Sequence, residues 1–196
     1  MVRFLQIARR IQTPVGELVA WSQGSMAPEA PEAWLTALRL VRPEEPLGED
    51  FGADFGADFG ADFGADFGGD FGEDSRVLLC ERLLADTAEQ LGEYFAQKRQ
   101  SFEIPLKFIG SAFQVRVWEA LSQIRYGQTW SYSQLAGSIH SPRGSRAVGA
   151  ALGKNPLWIV APCHRVVGQT GKLVGFAGGL DTKRYLIELE KNRAIG

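Results

Sequence analysis

Residues 155–167 read Asn155-Pro156-Leu157-Trp158-Ile159-Val160-Ala161-Pro162-Cys163-His164-Arg165-Val166-Val167. An apolar run, expected as a strand, enters a proline, and the turn that follows presents a cysteine beside a histidine and an arginine. A thiol becomes a nucleophile when nearby positive charge or a base lowers its pKa. A Cys–His pair alone is as often structural as reactive, so its meaning rests on the sequence around it.

Working upstream, the texture from Gly110 is one of short helices and tight turns. Phe113, Val117, Trp118, Leu121 and Ile124 stripe one helix. Ser131 is placed to cap a second, Tyr132–Ile139, and a Ser141-Pro-Arg-Gly turn leads into a third, Ser145–Gly153. The last two read as a helix-turn-helix. Ser145, Ala147, Gly149, Ala150, Ala151 and Gly153 make the second of them small almost throughout. Small residues allow close backbone approach, to another helix in a core or, on a basic protein, to a DNA groove.

Farther upstream, Arg76–Gln97 is an amphipathic helix with Leu79, Leu83, Leu84, Ala88, Leu91 and Phe95 on one face. Cys80 lies in it as a small buried hydrophobe. Phe102–Phe108 reads as extended. Phe4–Ile11 and Gly16–Ser22 alternate as strands around a Thr13-Pro14-Val15-Gly16 turn, and Trp34–Val41 is a candidate third strand.

Between these halves, residues 50–73 repeat Asp-Phe-Gly-Ala with period four. Regular glycine disfavours helix and the acids disfavour a packed core, so a flexible surface loop is expected; calcium binding by the Asp ladder is the alternative. The six Phe of the tract could also dock loosely on the body. The insert 49–74 holds nine acids and no base, which leaves residues 75–196 with a net charge of +7 inside a chain of net charge −2. A basic body suits a polyanion, although a solvated mixed surface has the same composition.

Other classes are excluded by composition. No run of about 18 apolar residues occurs, and Met1–Ile11 is too short and too interrupted by Arg for a signal peptide. Two cysteines make no disulfide framework, so a reducing cytoplasm is the expected location. With two cysteines and two histidines at unpaired spacings, no metal site is expected.

Taken in order, these motifs resemble the O6-alkylguanine-DNA alkyltransferases, the Ogt-like methylated-DNA–protein-cysteine methyltransferases. Pro162-Cys163-His164-Arg165-Val166 looks like their active-site signature. The likeness runs over residues 90–191 through Phe113-Gln114, Val117-Trp118, Tyr126-Gly127, Ser131-Tyr132, Gln134-Leu135-Ala136 and Arg146-Ala147-Val148-Gly149. It continues through Gly175-Phe176-Ala177-Gly178-Gly179-Leu180, Lys183, Leu186 and Glu190. The first half is less similar.

The resemblance implies a fold of two units. Residues 1–107 would be an α/β (α+β) domain of ribonuclease H-like type, and residues 108–196 a mostly α-helical domain carrying the helix-turn-helix and the acceptor cysteine. The implied partner is double-stranded DNA containing O6-alkylguanine. The implied reaction is irreversible, stoichiometric transfer of methyl or a small alkyl group, from guanine O6 and also thymine O4, by a monomer without cofactor.

It also implies roles. Cys163 accepts the alkyl group, His164 deprotonates it through a bridging water, and Glu190 holds and polarises the imidazole. Asn155 braces the cysteine turn. Tyr132 donates to the departing purine, with a core aromatic as the alternative, and Lys183 supports the site unless it forms a surface salt bridge. Val166, Gly175, Phe176, Ala177 and Gly178 line the base pocket. Arg146 enters the duplex in place of the flipped base, or else contacts a phosphate, while Ser145, Ala147, Gly149 and Ala150 face the DNA. Two positions depart from the pattern. Phe176 replaces a common Tyr, which is expected to alter rate or alkyl preference. Lys154 replaces a small residue before the Asn-Pro and is placed for a phosphate contact.

Two competing classes remain. A sensor of alkylated DNA would lack the cysteine, and Cys163 is present. A cysteine hydrolase would need an oxyanion hole and would leave the helix-turn-helix without a purpose.

Overall fold

The computed structural model describes residues 5–24, 32–40 and 75–192. The insert 49–74 and its repeat lie outside them. β1 (Leu5–Thr13) and β2 (Gly16–Gly24) form an antiparallel hairpin that closes where Thr13 faces Gly16. Pro14 presets one backbone angle of this two-residue loop, and Gly16 takes a φ of +117° that side chains disfavour. Thr13 Oγ1 locks the turn by donating to the Gly16 carbonyl at 2.6 Å.

β3 (Ala33–Leu40) pairs antiparallel with the other side of β2, giving the order β1-β2-β3. The register slips between Trp21 and Ser22, and Thr36 at the slip donates its hydroxyl to the Trp21 carbonyl at 3.2 Å. Strand alternation sends Leu18 and Ala20 into the main core and Val19 and Trp21 to the opposite face, against Ala8 and Ala37. Helix α1 (Ser75–Phe95) covers the core face with Leu83, Leu84, Leu91 and Tyr94. Cys80 is buried there as well. The three strands and the long helix fall where hydropathy places them.

The outer edge of β3 joins this layer to the rest. Leu35 bridges Leu106 and Leu38 bridges Leu157, each as a single parallel pair. Leu35 N donates to Pro105 O at 2.9 Å, Leu38 N to Pro156 O at 2.8 Å, and Trp158 N to Leu38 O at 2.9 Å. Proline can accept at such an edge but has no N–H with which to extend the ladder. The extended stretch expected over Phe102–Phe108 is therefore a single bridge at Leu106.

Four helices follow: α2 (Ala112–Ala120), α3 (Tyr132–Ser138), α4 (Ser145–Gly153) and α5 (Leu180–Lys191). Ser111 with Gln114 and Ser131 with Gln134 form reciprocal capping boxes that start α2 and α3. Two short strands, β4 (Trp130–Ser131) and β5 (Val166–Val167), pair in parallel and set the start of α3 beside the cysteine turn. Trp118 Nε1 ties α2 to α4 through the Ala151 carbonyl at 2.9 Å. One buried cluster runs from Ile11 and Leu38 through Trp118, Leu135 and Val148 to Leu186. Among the described residues, no helix is long and apolar enough to cross a membrane.

Candidate active site

The stretch before Cys163 is a knot of turns, where the apolar run predicts a strand. After the single bridge at Leu157, Asn155 captures both ends of the segment. Its Oδ1 accepts from Leu157 N at 3.1 Å and its Nδ2 donates to Ala161 O at 2.8 Å. Val160 N then closes on Trp158 O at 2.7 Å, across an Ile159 held at φ 68°. A β-branched residue in that region costs about 1–3 kcal/mol, and its burial in the core offsets the strain. Cys163 N donates to Ala161 O at 2.8 Å across Pro162, whose φ −80° and ψ 65° are those of an inverse γ-turn. Apolar periodicity cannot tell such a buried turn from a short strand. Cys163–Arg165 then forms one 3-10 turn.

That turn leaves Cys163 5% exposed and His164 fully buried. Burial pushes the thiol up to about 11, against the Asn155 amide, the Lys183 ammonium and the backbone of Cys163 and His164, which all favour the thiolate. Burial also lowers His164, opposed by the hydrogen bond and charge of Glu190 and reinforced by the Arg165 and Lys183 cations. The cysteine and histidine are thus both neutral at rest.

Glu190, on α5, accepts His164 Nε2 at 2.8 Å. Burial alone would raise its pKa, but bonds and charges from His164 and Arg165 outweigh that and hold it at about 2. A carboxylate accepts only, so the Nε2 must carry the proton and Nδ1 the lone pair. Nδ1 is buried with no hydrogen-bond partner among the described residues.

Four further donor groups reach Glu190 from three residues to which the sequence attaches no such role. Arg165 grips it with Nε at 2.9 Å and Nη2 at 3.0 Å while its Nη1 reaches Ile124 O at 2.6 Å. Tyr94 Oη donates at 2.7 Å from α1, and Gly127 N at 3.1 Å. The signal for Tyr94 was a phenol among the apolar residues of α1, since a buried hydroxyl needs a partner.

On the other side, Tyr132 Oη and Lys183 Nζ both donate to the Val174 carbonyl at 2.9 Å, and Lys183 adds Gly175 O at 3.2 Å. Lys183 is 1% exposed, so a surface salt bridge does not account for it. Its ammonium lies 6.0 Å from the centre of the Tyr132 ring. Burial lowers Lys183, opposed by a Cys163 thiolate, and both burial and that thiolate raise Tyr132. The three groups therefore share one electrostatic neighbourhood.

Phe176 leans on Trp158 with ring centroids 5.3 Å apart. A Cβ on Gly178 would lie 2.7 Å from the Trp158 ring and 2.8 Å from Phe176, so glycine lets both rings settle there. Val166 is buried beneath, in β5, while Gly175 and Ala177 are exposed. Among the described residues, no group of three or more His, Cys, Asp or Glu could hold a metal ion.

Helix α4 buries Val148, Ala151 and Leu152 and turns Arg146, Ala147 and Ala150 outward. Ser145 and Gly149 are half-buried, and Gly149 faces the Tyr132 ring at contact distance for a Cβ. Arg146, in the first turn, is exposed, as is Lys154 just beyond the last. The small-residue face thus adjoins the open side of the site.

Residues 112–192 match the family model for the DNA-binding domain of 6-O-methylguanine DNA methyltransferase. The methylated-DNA–protein-cysteine methyltransferase of Mycolicibacterium paratuberculosis is 51% identical over 113 residues, which is 58% of this chain and 68% of that one. Its counterpart in Methanosarcina barkeri is 47% identical over 112 residues, 57% of this chain and 71% of that one. The crystal structure of Mycobacterium tuberculosis O6-methylguanine methyltransferase superposes with a TM-score of 0.68 at 33% identity, covering 96% of this chain and 94% of that one. The crystal structure of Mycobacterium tuberculosis OGT in complex with DNA gives 0.66 at 33% identity, covering 95% of this chain and 93% of that one. Likeness of this extent means that the chain belongs to the methylated-DNA–protein-cysteine methyltransferase family.

Proposed function

We propose that the chain repairs duplex DNA by moving the alkyl group of O6-alkylguanine onto Cys163 in one irreversible step. The observation that carries this is His164, its Nε2 proton fixed on an anionic Glu190 and its buried Nδ1 left as the acceptor. That imidazole can take the thiol proton, directly or through one water, as the sulfur attacks. The C–S bond forms as the alkyl carbon–O6 bond breaks, and the electron pair passes to the purine. A proton then neutralises the base, with Tyr132 as its donor and Lys183 stabilising the developing charge. Asn155 holds the turn, and Val166 and residues 175–178 line the pocket. A thioether is a very poor leaving group, so each molecule acts once.

Chemistry on a stacked base requires flipping it out, at roughly a few kcal/mol. In this reading α3 and α4 serve as a helix-turn-helix, with Ser145, Ala147, Gly149 and Ala150 against the groove. Arg146 fills the gap left by the base and offsets part of the cost. Residues 1–107 form the ribonuclease H-like unit and 108–196 the catalytic one, in a monomer. A reducing cytoplasm suits a thiol that must stay unoxidised.

The test is incubation with excess duplex carrying radiolabelled O6-methylguanine. One equivalent of label on Cys163 is expected, and none on Cys163→Ala. Multiple turnovers, binding without transfer, or label on the alanine variant would each overturn the reading.

A further inference from the structure

We propose that Tyr94 is a positioning residue of the transfer reaction, acting through Glu190 to hold down the basicity of His164. The proposal rests on the reaction assigned above and adds a control to it.

The argument starts from the crowding of one carboxylate. Glu190 Oε1 accepts Tyr94 Oη at 2.7 Å, His164 Nε2 at 2.8 Å and Arg165 Nη2 at 3.0 Å. Oε2 accepts Arg165 Nε at 2.9 Å and Gly127 N at 3.1 Å. An ionised carboxylate offers about four lone-pair sites, so five donors share them, and Tyr94 competes with His164 for the same oxygen. Each donor draws charge from the anion, and charge held by the phenol is withheld from an imidazolium at Nε2.

The groups that face this corner come from four elements. Tyr94 projects from α1, Tyr126 and Gly127 from the loop before β4, Cys163, His164 and Arg165 from the cysteine turn, and Lys183 from α5 with Glu190. Arg165 and Lys183 lower His164 by charge and Glu190 raises it. Tyr94 is fully buried, and next to an anion its hydroxyl can act only as a donor, so it sides with the cations. Its consequence is chemical economy. A more basic His164 would draw the proton from Cys163 in the resting protein, and a standing thiolate would react with any small electrophile. A single-use acceptor loses its function by such a reaction.

Tyr94→Phe deletes the hydroxyl alone, because the ring keeps its contacts with Phe95, Phe102 and Tyr126, at centroid distances of 5.3, 5.5 and 6.1 Å. The chain contains two histidines, of which His164 is buried and His140 exposed, so imidazole titration by NMR reads His164 directly. In Y94F the His164 midpoint is expected to move to higher pH. Single-turnover transfer from O6-methylguanine duplex at neutral pH should rise about two- to fivefold, with its acid limb displaced upward. Iodoacetamide should label Cys163 faster by a similar factor. Incorporating 3-fluorotyrosine at position 94, a stronger donor of nearly the same shape, should move His164 the opposite way, and it tests the idea if Y94F does not fold. Titration curves and acid limbs that superimpose on the parent's, or shifts of the same sign in both variants, would overturn the proposal. A parent protein that leaves Cys163 unlabelled would overturn the reaction assignment instead, since the His164 titration is read without DNA.

Discussion

Around Glu190 the bonded side chains of Tyr94, His164 and Arg165 are buried and five donors share two oxygens, whereas the Val174–Gly179 side of the site is largely exposed and hangs on two carbonyls. The first region is made by residues brought from α1, the cysteine turn and α5 onto one charge. The second is a loop with positive φ at Gly175 and Gly179, held at its start by Tyr132 and Lys183 and in its middle by two rings packed at a tilt. In the proposed reaction, proton handling falls to the buried floor and alkyl selection to the rim. A change in the floor should alter rate, pH dependence and stability together. A change in the rim should alter which alkyl groups are taken and leave the pH profile in place.

The largest expected effect comes from Glu190→Gln. It preserves shape but leaves the buried Arg165 guanidinium without its counter-charge and His164 without the anion that stabilises its protonated form. Breaking a buried pair from one side costs about 3–5 kcal/mol, readable as a fall in the urea midpoint. Loss of the assisted proton transfer should slow single-turnover repair by about 10²–10⁴-fold. A variant with the parent's stability and rate would show that the charge is not what organises the floor.

The pH dependence of stability should carry the same signature. Glu190 is depressed to about 2 from an ordinary 4.5, and His164 lies below its ordinary 6.5. For depressed groups the stabilisation is present above the ordinary value and lost as pH falls. It should begin to decline below 6.5 through His164 and decline further between 4.5 and about 2 through Glu190, the latter by about 3 kcal/mol. Cys163 is raised from 9.0 to about 11, so its contribution is present below 9 and lost as pH rises toward 11. Denaturant melts across pH should therefore plateau between about 6.5 and 9. In Glu190→Gln the decline between 4.5 and 2 should shrink, and its persistence at full size would assign it to other carboxylates.

The two regions also differed in how far the sequence could disclose them. Cys163, His164 and Glu190 were legible because a family pattern joins positions that no local spacing connects. Arg165 was visible as a positive neighbour of the thiol, but its guanidinium is committed to Glu190 and Ile124, which only the folded path of α5 makes possible. Tyr94 was hidden inside a helix whose apolar stripe fully explains its fold. The segment 157–161 turns where a strand is expected because nothing in the sequence marks Ile159 for a left-handed backbone; the cause is Asn155, which binds both ends of the segment. The three strands and α1 follow from alternation and helical periodicity. The bridges at Leu106 and Leu157 do not, because a single edge pair beside a proline leaves no periodic trace.

At the rim, Gly178→Ala should have an intermediate effect. The added methyl would meet both Trp158 and Phe176 well inside contact distance, and overpacking of this kind costs about 1–3 kcal/mol. Relief requires the rings to part, which alters the wall of the pocket. Transfer of a bulky alkyl group should therefore change more than transfer of methyl, with the ratio of single-turnover rates as the measure. Equal changes for both groups would place the Trp158–Phe176 stack outside the alkyl pocket.

The smallest effect is expected from Phe176→Tyr, and it is the most discriminating. The ring already packs on Trp158 and is half exposed, so a hydroxyl added there can be solvated and should change stability by about 0.5 kcal/mol or less. Methyl transfer should change within about threefold, as expected for one partly exposed hydrogen bond. The useful measurement is the pH–rate profile. In the proposed reaction the floor sets protonation through Glu190, His164 and Tyr94, none of which contacts position 176 through a hydrogen bond among the described residues. The acid limb of F176Y should accordingly superimpose on the parent's even where the rate differs. A displaced limb would mean that the rim reaches the proton relay, through Lys183 or the Cys163 turn, and that selection and proton handling are one device rather than two.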